Sequence, residues 1–311
     1  MKVLVTCPPM LRQIELFRKG FSDKGIELIT PNVVQTLSEE ELMGILPDVD
    51  GWIIGDDPAT ERVFQAGVNG QLKAAVKWGV GVDNVDFEAC KKLGIPISNT
   101  PNMFGAEVAG IAVNLVIGLA RQTFLIDRQV RKGEWPKPAG ISLTGRTVAL
   151  IGFGDIGKAT AKRLHAFDLN LNIYDPFATK TAEDHKKYHF LEWPEKLNEA
   201  DFVVVTCALN PETKHMVNAN AIAQMKDDVR IVNVSRGGVI DENALLEGLK
   251  SGKIHSVGLD VFEEEPLPMH SELRQFERAI FGTHNGSNTI DGVIRASHQA
   301  MKYMFEFLKL D

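Results

Sequence analysis

The strongest constraint on this chain is an apolar run at residues 148–151 that ends in a Gly-x-Gly-x-x-Gly pattern formed by Gly152, Gly154 and Gly157. The pattern predicts a strand, a tight glycine turn and the start of a helix in succession. Without side chains, the turn lets a pyrophosphate approach the backbone, and the helix N-terminus offers N–H donors and partial positive charge. We therefore predict that these three glycines bind a dinucleotide.

A second apolar stretch, residues 169–174, ends at Asp175, 18 residues after Gly157. An acid at the end of the second strand binds the ribose hydroxyls of NAD and repels the 2′-phosphate of NADP. The sequence therefore predicts NAD as the cofactor. The alternative, a glycine-rich turn with no ligand, does not explain the second strand and its acid.

Composition limits the partners and the compartment. The chain has 311 residues, enough for two domains with their own cores, and its net charge of −7 argues against a nucleic-acid partner. Cys7, Cys90 and Cys207 match neither a disulfide framework nor a metal spacing, so we predict no metal and a reducing, cytoplasmic compartment. The apolar run at residues 1–6 is too short for a signal peptide and predicts a first strand.

Short apolar runs alternate with helix-like segments along the whole chain, which is typical of parallel, doubly wound sheets. In the first hundred residues a capping box at Ser38–Glu41 opens one of these helices. The predicted strands are residues 3–6, 26–29, 51–54, 74–78, 95–98, 148–151, 169–175, 202–206, 230–234, 256–259 and 279–281. We predict an α/β protein with two doubly wound, Rossmann-like domains and a cleft between them.

The loop at residues 77–84, Lys-Trp-Gly-Val-Gly-Val-Asp-Asn, follows the end of a predicted strand. Ligands of open α/β sheets bind at such ends, and small residues leave backbone N–H groups free to hold a carboxylate. The alternative is a simple turn before an Asp- or Asn-capped helix, and the local sequence does not decide between them.

A long helix is predicted from about residue 105 towards residue 131. Its apolar residues cover more than one face, whereas Asn114 interrupts a run that is too short for a bilayer span. A helix of this kind must bury several faces. We therefore predict that it joins the two domains and packs against a second subunit.

Four ionisable residues follow the ends of three predicted strands: Arg236, Asp260, Glu265 and His284. Because parallel strands share a direction, these residues are expected to meet in one crevice beside the glycine turn. Arg236 as a surface arginine and Asp260 as a turn carboxylate are the alternatives, and spacing does not choose among the glutamates at residues 263–265. His284 is the best acid/base candidate because it alone pairs a strand end with a glycine-containing loop.

Reduction of a 2-oxo acid needs a hydride at C2 and a proton on the developing alkoxide. An imidazolium at His284 can donate that proton, and a carboxylate at Glu265 would favour the charged ring and orient it. Arg236 can bind the substrate carboxylate in a fork and polarise the 2-oxo group. The backbone of residues 79–82 would hold the carboxylate from the other domain, and closure of the domains would exclude water.

Several blocks of this sequence, in this order, resemble the D-isomer-specific 2-hydroxyacid dehydrogenases near the phosphoglycerate dehydrogenase branch. The blocks are residues 79–86, residues 143–148 leading into the glycine turn, and residues 233–238, 259–266 and 284–289. The resemblance covers nearly the whole chain. It implies that Arg236, Glu265 and His284 are the catalytic set, which selects Glu265 among the three glutamates.

The resemblance also implies further binding residues and the domain organisation. The substrate would contact the N–H groups of Val80 and Gly81, and Lys77 can meet a second anionic group. It implies a split substrate-binding domain, residues 1–101 plus 289–311, an NAD-binding domain at residues 102–288, and a homodimer formed through the helix at residues 105–131. Besides the glycines, the cofactor would be bound by Asp155, Ile156, Asp175, Cys207, Thr213, Val234, Ser235, Asp260 and Gly286.

Some departures from the family pattern bear on the substrate. Gly110 stands where the family often has glutamate, Ala208 replaces a usual proline, and the loop at residues 55–58 is acidic where some phosphoglycerate dehydrogenases carry phosphate-binding arginines. We therefore keep a glyoxylate or hydroxypyruvate reductase as the alternative to a phosphoglycerate dehydrogenase. A non-catalytic, corepressor-like NAD(H) sensor is a third hypothesis, disfavoured because all three catalytic residues are present.

Overall fold

The computed structural model describes residues 1–310, which form two compact units. Unit 1 is Met1–Met103 with the chain from Asn288 onward, and unit 2 is Phe104–Ser287. The predicted domain boundaries, after residues 101 and 288, lie within two residues of the boundaries between these units.

Unit 1 contains a five-stranded parallel sheet in the order β2-β1-β3-β4-β5. The strands are β1 (Lys2–Val5), β2 (Glu27–Ile29), β3 (Gly51–Ile54), β4 (Ala74–Lys77) and β5 (Ile97–Asn99). The helices are α1 (Pro8–Arg12), α2 (Glu15–Ser22), α3 (Glu39–Ile45), α4 (Glu61–Val68), α5 (Phe87–Leu93) and the last helix, α12 (Ile290–Phe307). Every residue of β3 is buried, because a parallel sheet carries helices on both faces.

The predicted capping box is confirmed at the start of α3. The backbone N–H of Glu41 donates to Ser38 Oγ over 3.3 Å, and the N–H of Ser38 donates to Glu41 Oε2 over 2.8 Å. Two N–H groups that the first helical turn leaves unpaired are thereby satisfied.

Unit 2 contains a seven-stranded parallel sheet in the order β12-β11-β10-β9-β6-β7-β8. The strands are β6 (Thr147–Ile151), β7 (Asn170–Tyr174), β8 (His189–Phe190), β9 (Phe202–Val205), β10 (Val229–Asn233), β11 (Ile254–Leu259) and β12 (Ile280–Phe281). The helices are α6 (Gly105–Arg121), α7 (Thr123–Arg131), α8 (Asp155–His165), α9 (Ala182–Lys187), α10 (Ala219–Gln224) and α11 (Glu242–Lys250). The predicted fold class is confirmed, although the two-residue strand β8 was not predicted.

The prediction of one continuous helix over residues 105–131 is wrong. Helix α6 ends at Arg121, the next residue, Gln122, has a left-handed backbone (φ 54°, ψ 30°), and α6 and α7 meet at an angle of 69°. The carbonyl of Ala120 accepts the N–H of Ile141 over 2.9 Å, and Gln122 Nε2 donates to the carbonyl of Ala139 over 3.0 Å. The returning chain therefore takes up hydrogen bonds at the point where the helix stops.

Within residues 1–310, no single helix combines the length and apolar character needed to cross a bilayer. The bent pair of α6 and α7 meets that test only when both helices are counted together. Within unit 2, residues such as Ala109, Val116 and Leu119 of α6 are buried.

A histidine in unit 2 makes the stability of the fold depend on pH. His255 lies in β11, where its Nδ1 is 2.9 Å from Ser256 Oγ. Burial, followed by the charges of Arg230 and Arg278, lowers the pKa of His255 to about 4, whereas the charge of Asp228 opposes the shift. Because an unfolded histidine has a pKa of about 6.5, the unfolded chain takes up a proton first as pH falls, and stability is lost between these two values.

We expect His255→Asn to remove this contribution. As the pH falls from 7 to 4.5, the melting temperature should decrease less in the variant than in the original protein. Thermal melts at both pH values, followed by circular dichroism, measure it. A difference that is independent of pH would contradict the assignment.

Candidate active site

The glycine turn after β6 has the geometry that a pyrophosphate needs. Gly152 has φ 95°, and a Cβ there would lie 2.6 Å from the backbone nitrogen of Cys207. A Cβ on Gly157 would overlap the carbonyl oxygen of Gly152, so that glycine permits the close approach of α8. By contrast, a Cβ on Gly154 would meet no atom within 4 Å. The turn is tight on its protein side and open at the N-terminus of α8.

Asp175 follows β7 and is held beside this turn. Its Oδ2 accepts the N–H of Phe153 over 2.7 Å, and its Oδ1 accepts the N–H of Phe177 over 2.9 Å. Each carboxylate oxygen has a second lone pair, so the anchored carboxylate can still accept hydrogen bonds from ribose hydroxyls. The open N-terminus of α8 and this acid fit a dinucleotide without a 2′-phosphate.

The other predicted cofactor residues lie at the same carboxyl edge of the unit 2 sheet or at the start of α8. Cys207 follows β9, and burial raises the pKa of its thiol to about 12, so the group is neutral. Thr213 is tied into the same loop, because its Oγ1 donates to the carbonyl of Ala208 over 2.7 Å. Asp155 and Ile156 form the first turn of α8, and Val234 and Ser235 follow β10.

Asp260 is buried and organises the loop that carries His284. Its carboxylate accepts the N–H of Gly286 over 2.8 Å and that of Asn285 over 3.1 Å, and its carbonyl accepts the N–H of His284 over 2.6 Å. His284 has φ 53°, an uncommon conformation for a residue with a side chain. Asp260 therefore organises this turn and positions His284, and its assignment to the cofactor stays a prediction.

The side chains of Arg236, Glu265 and His284 form one connected group. His284 Nδ1 lies 2.7 Å from Glu265 Oε2, and His284 Nε2 lies 3.4 Å from Arg236 Nη1. The other carboxylate oxygen of Glu265 accepts the N–H of Phe262 over 2.9 Å, which fixes its orientation. The ring therefore lies between a carboxylate on one nitrogen and a guanidinium on the other.

The three neighbouring glutamates have different partners. Glu263 Oε1 lies 2.8 Å from Nε2 of His215, while Glu264 is exposed. Only Glu265 contacts His284, and both of these side chains are 21% exposed. The geometry thus distinguishes Glu265 from its neighbours, which the spacing in the sequence does not.

Two neighbours of Arg236 hold it in place through contacts that the sequence did not predict. Asn233, at the end of β10, donates from Nδ2 to the carbonyl of Arg236 over 2.9 Å, and its Oδ1 accepts the N–H of Ser235 over 3.0 Å. A Cβ on Gly237 would overlap the backbone of Phe262, so the Arg236 loop packs directly on the loop that leads to Glu265. In the sequence, both residues could have been identified by their position near Arg236 at the end of a predicted strand.

The predicted substrate loop of unit 1 follows β4. Gly79 has φ 122°, and Val80 and Val82 are exposed. Asn99 Nδ2 donates to the carbonyl of Val80 over 2.9 Å, and the helix that follows, α5, is capped by Asp86. Lys77 is buried and donates to the carbonyl of Gly55 over 2.6 Å, so its side chain points back into unit 1. These positions do not test whether Lys77, Val80 and Gly81 bind the substrate. That assignment stays a prediction.

Comparison with known proteins decides the family. The model of the D-isomer specific 2-hydroxyacid dehydrogenase NAD binding domain matches residues 113–286. The chain belongs to this family of dehydrogenases.

Relatives in sequence and structure agree with that assignment. A hydroxypyruvate reductase from Thermotoga maritima is 35% identical over 88% of this chain and 89% of its own length. A D-3-phosphoglycerate dehydrogenase from Methanocaldococcus jannaschii is also 35% identical, over 93% of this chain but only 54% of its own length. The crystal structure of the TT0316 protein from Thermus thermophilus has a TM-score of 0.87 and 29% identity, over 99% of this chain and 97% of that one.

Family membership makes the protein an NAD-dependent oxidoreductase that acts on a 2-hydroxy acid and the matching 2-oxo acid. The predicted family, cofactor and enzyme class are confirmed. The assignment of the pyrophosphate to the open glycine turn and of the ribose to Asp175 stays a prediction, which their geometry fits.

The charge of Asp175 is expected to select NAD over NADP. We predict that Asp175→Asn, which keeps an acceptor for the N–H of Phe153, raises the ratio of kcat/KM for NADP to that for NAD by roughly tenfold to a hundredfold, because a repulsion from the 2′-phosphate is lost. Steady-state kinetics with both cofactors measure it. Asp227→Asn is the control, because Asp227, which precedes β10, is an exposed carboxylate that pairs with Lys253. An unchanged ratio would refute the role of Asp175.

Proposed function

We propose that this dehydrogenase interconverts a small 2-oxo acid and its D-2-hydroxy acid, with Arg236, Glu265 and His284 as its catalytic residues. The observation that carries the proposal is the connected group formed by these side chains, with 2.7 Å between His284 Nδ1 and Glu265 Oε2. The group lies at the edge of the sheet that also carries the glycine turn. Phosphohydroxypyruvate and the smaller hydroxypyruvate and glyoxylate are the candidate substrates.

NADH, which the glycine turn and Asp175 would hold, would supply a hydride to the carbonyl carbon of the 2-oxo acid. His284 then has to deliver a proton to the carbonyl oxygen from Nε2, because Nδ1 is engaged with Glu265. Arg236, next to Nε2, can bind the substrate carboxylate and draw electron density towards the reacting oxygen. In the reverse direction a neutral His284 accepts the hydroxyl proton at Nε2.

Glu265 keeps the ring in the tautomer that this step needs. In neutral His284 the proton lies on Nδ1 and is donated to Glu265, which leaves Nε2 as the acceptor. When Nε2 is protonated, the carboxylate stabilises the positive ring, whereas Arg236 disfavours it. Asp260 contributes by holding the backbone of His284 and the next two residues.

The backbone of residues 79–82 is the proposed site for the substrate carboxylate in unit 1. Its small residues, Gly79 and Gly81, let a carboxylate approach the N–H groups closely. The exposure of Val80 is consistent with a backbone that a ligand can reach.

Steady-state rates across a panel of 2-oxo acids test the proposal. The panel contains glyoxylate, pyruvate, hydroxypyruvate and phosphohydroxypyruvate, each with NADH, and the stereochemistry of the product is determined by chiral chromatography. We expect turnover of at least one of them, with only the D-hydroxy acid formed from substrates that give a chiral product. An L-product, or no turnover of any member, would refute the proposal.

Glu265→Gln is expected to move the pH dependence of the reaction. Glutamine keeps the shape of the side chain but cannot stabilise a positive ring, so His284 loses its proton at lower pH. The limb on which reduction is lost with rising pH should therefore move to lower pH, and kcat should fall about tenfold to a hundredfold. Rates between pH 5 and 9 measure the shift, with Glu264→Gln as the matched control. An unmoved limb would mean that the carboxylate does not act through the ring.

A homodimer formed through the segment at residues 105–131 is also proposed. The end of α7 and the loop after it expose apolar side chains, with Val130 42% and Trp135 79% exposed, which a second copy would cover. Sedimentation equilibrium is expected to give twice the mass of the chain. A monomer at micromolar concentration would contradict it.

A further inference from the structure

An ion pair in unit 1 ends next to the proposed carboxylate loop. Lys77 is the last residue of β4 and its side chain is only 2% exposed. Its ammonium donates to the carbonyl of Gly55 over 2.6 Å and to Asp56 Oδ1 over 3.0 Å. The side chain of Asp56 is 37% exposed, so the pair presents its acidic member to solvent.

The surroundings of the pair are acidic as well. Asp57 is fully buried, accepts the N–H of Leu37 over 2.8 Å and that of Gly55 over 3.0 Å, and is also hydrogen-bonded by Thr6 Oγ1. Burial raises the pKa of Asp57, whereas the charge of Lys77 lowers it. The positive charge of Lys77 is therefore already balanced by groups of unit 1.

Lys77 of this pair lies beside Gly79 in the loop at residues 79–82. A Cβ on Gly79 would lie 3.8 Å from Lys77 Nζ. On the far side of the loop, Asn84 Nδ2 donates to the carbonyl of Asp57 over 2.7 Å and to that of Gly55 over 3.2 Å. Lys77 and Asn84, which flank the carboxylate loop in the chain, are therefore both hydrogen-bonded to the acidic loop at residues 55–57.

We propose that the Asp56–Lys77 pair is a charge filter that favours 2-oxo acids with a single negative charge over those that carry a phosphate. The inference rests on the proposed function, in which residues 79–82 bind the substrate carboxylate. A second anionic group beside that loop meets the carboxylate of Asp56, and like charges at short range cost affinity. Lys77, the cation that such a group needs, is held by Asp56 and the carbonyl of Gly55.

The test compares hydroxypyruvate with phosphohydroxypyruvate, which differ by one phosphoryl group. With saturating NADH, the original protein should have a kcat/KM for hydroxypyruvate at least about tenfold above that for phosphohydroxypyruvate. Asp56→Asn, which removes the charge and loosens the hold on Lys77, should raise the ratio of phosphorylated to unphosphorylated kcat/KM by about tenfold. Asp56→Ser, a second variant without the charge, should change the ratio in the same direction.

Two further variants identify the cause. Asp23→Asn removes an exposed carboxylate that pairs with Lys19 on the surface of unit 1 and should leave the ratio unchanged. Adding Lys77→Met to Asp56→Asn should abolish most of the gain, because the released ammonium is then missing. If the ratio stays raised after Lys77→Met is added, the loss of repulsion from Asp56 accounts for the filter, and contact with the ammonium does not.

A preference of the original protein for phosphohydroxypyruvate, or an unchanged ratio in both Asp56 variants, would overturn the charge filter. Neither result would affect the proposed function if D-hydroxy acids are still formed. Failure of the original protein to reduce any 2-oxo acid would refute the proposed function instead.

Discussion

Replacing His284 with alanine is expected to lower kcat for 2-oxo acid reduction by about 10³-fold, within the range that a general acid usually contributes. The reason is geometric, because His284 Nε2 is the ring atom not engaged with Glu265. NADH binding should be nearly unchanged. The glycine turn follows β6 and Asp175 follows β7, whereas His284 follows β12 at the other end of the sheet order.

Two measurements separate a lost proton donor from a lost fold. Stopped-flow turnover gives the rate, and titration of NADH fluorescence gives the dissociation constant of the cofactor. His270→Ala is the matched control, since His270 is an exposed histidine of the same unit. Full activity of His284→Ala would exclude His284 as the acid, and a large loss of NADH affinity would show that the substitution acts through the cofactor site.

The position of the site could be predicted from sequence because it follows from strand direction. Arg236, Asp260 and His284 each come soon after a strand, and β10, β11 and β12 are parallel neighbours. A parallel sheet brings such residues to one edge regardless of the conformations of the loops. The same reasoning placed the glycine turn and Asp175 at this edge.

The contacts within the site could not be predicted, because they depend on the loops. Spacing treats residues 263–265 alike, and the resemblance to the family alone selected Glu265. In the structure, the choice depends on the packing of Gly237 against Phe262 and on the pairing of Glu263 with His215. These contacts join segments that are far apart in the chain, so no local pattern contains them.

The break between α6 and α7 escaped prediction for a similar reason. Apolar residues continue beyond it, as at Phe124 and Ile126, and neither glycine nor proline occupies the junction at Gln122. The partners of the broken turn come from residues 139–141, beyond the end of α7. Helical periodicity reports which face is apolar, but it does not report where a distant segment replaces a helical hydrogen bond.

Arg236→Lys is expected to lower kcat/KM for the 2-oxo acid by about 10²- to 10³-fold, although the charge is kept. A guanidinium can hold a carboxylate with two parallel N–H donors while a third group faces the reacting oxygen, and an ammonium cannot reproduce this planar arrangement. Arg236 Nη1 also donates to the carbonyl of Ser235 over 3.0 Å, which fixes the plane of the group next to His284. A lysine at this position has no second nitrogen to make that contact.

Substrate kinetics at saturating NADH measure this loss, and Arg274→Lys is the matched control. Arg274 uses its Nε to bind the carbonyl of Pro268 over 2.9 Å at the surface of the same unit, so its replacement should leave kcat/KM unchanged. Arg236→Ala adds a second readout, because guanidinium ions added to the assay should restore part of its activity by occupying the vacated space. A loss in Arg236→Lys that is confined to NADH affinity, or no rescue of Arg236→Ala, would mean that Arg236 supports the loop and does not act on the substrate.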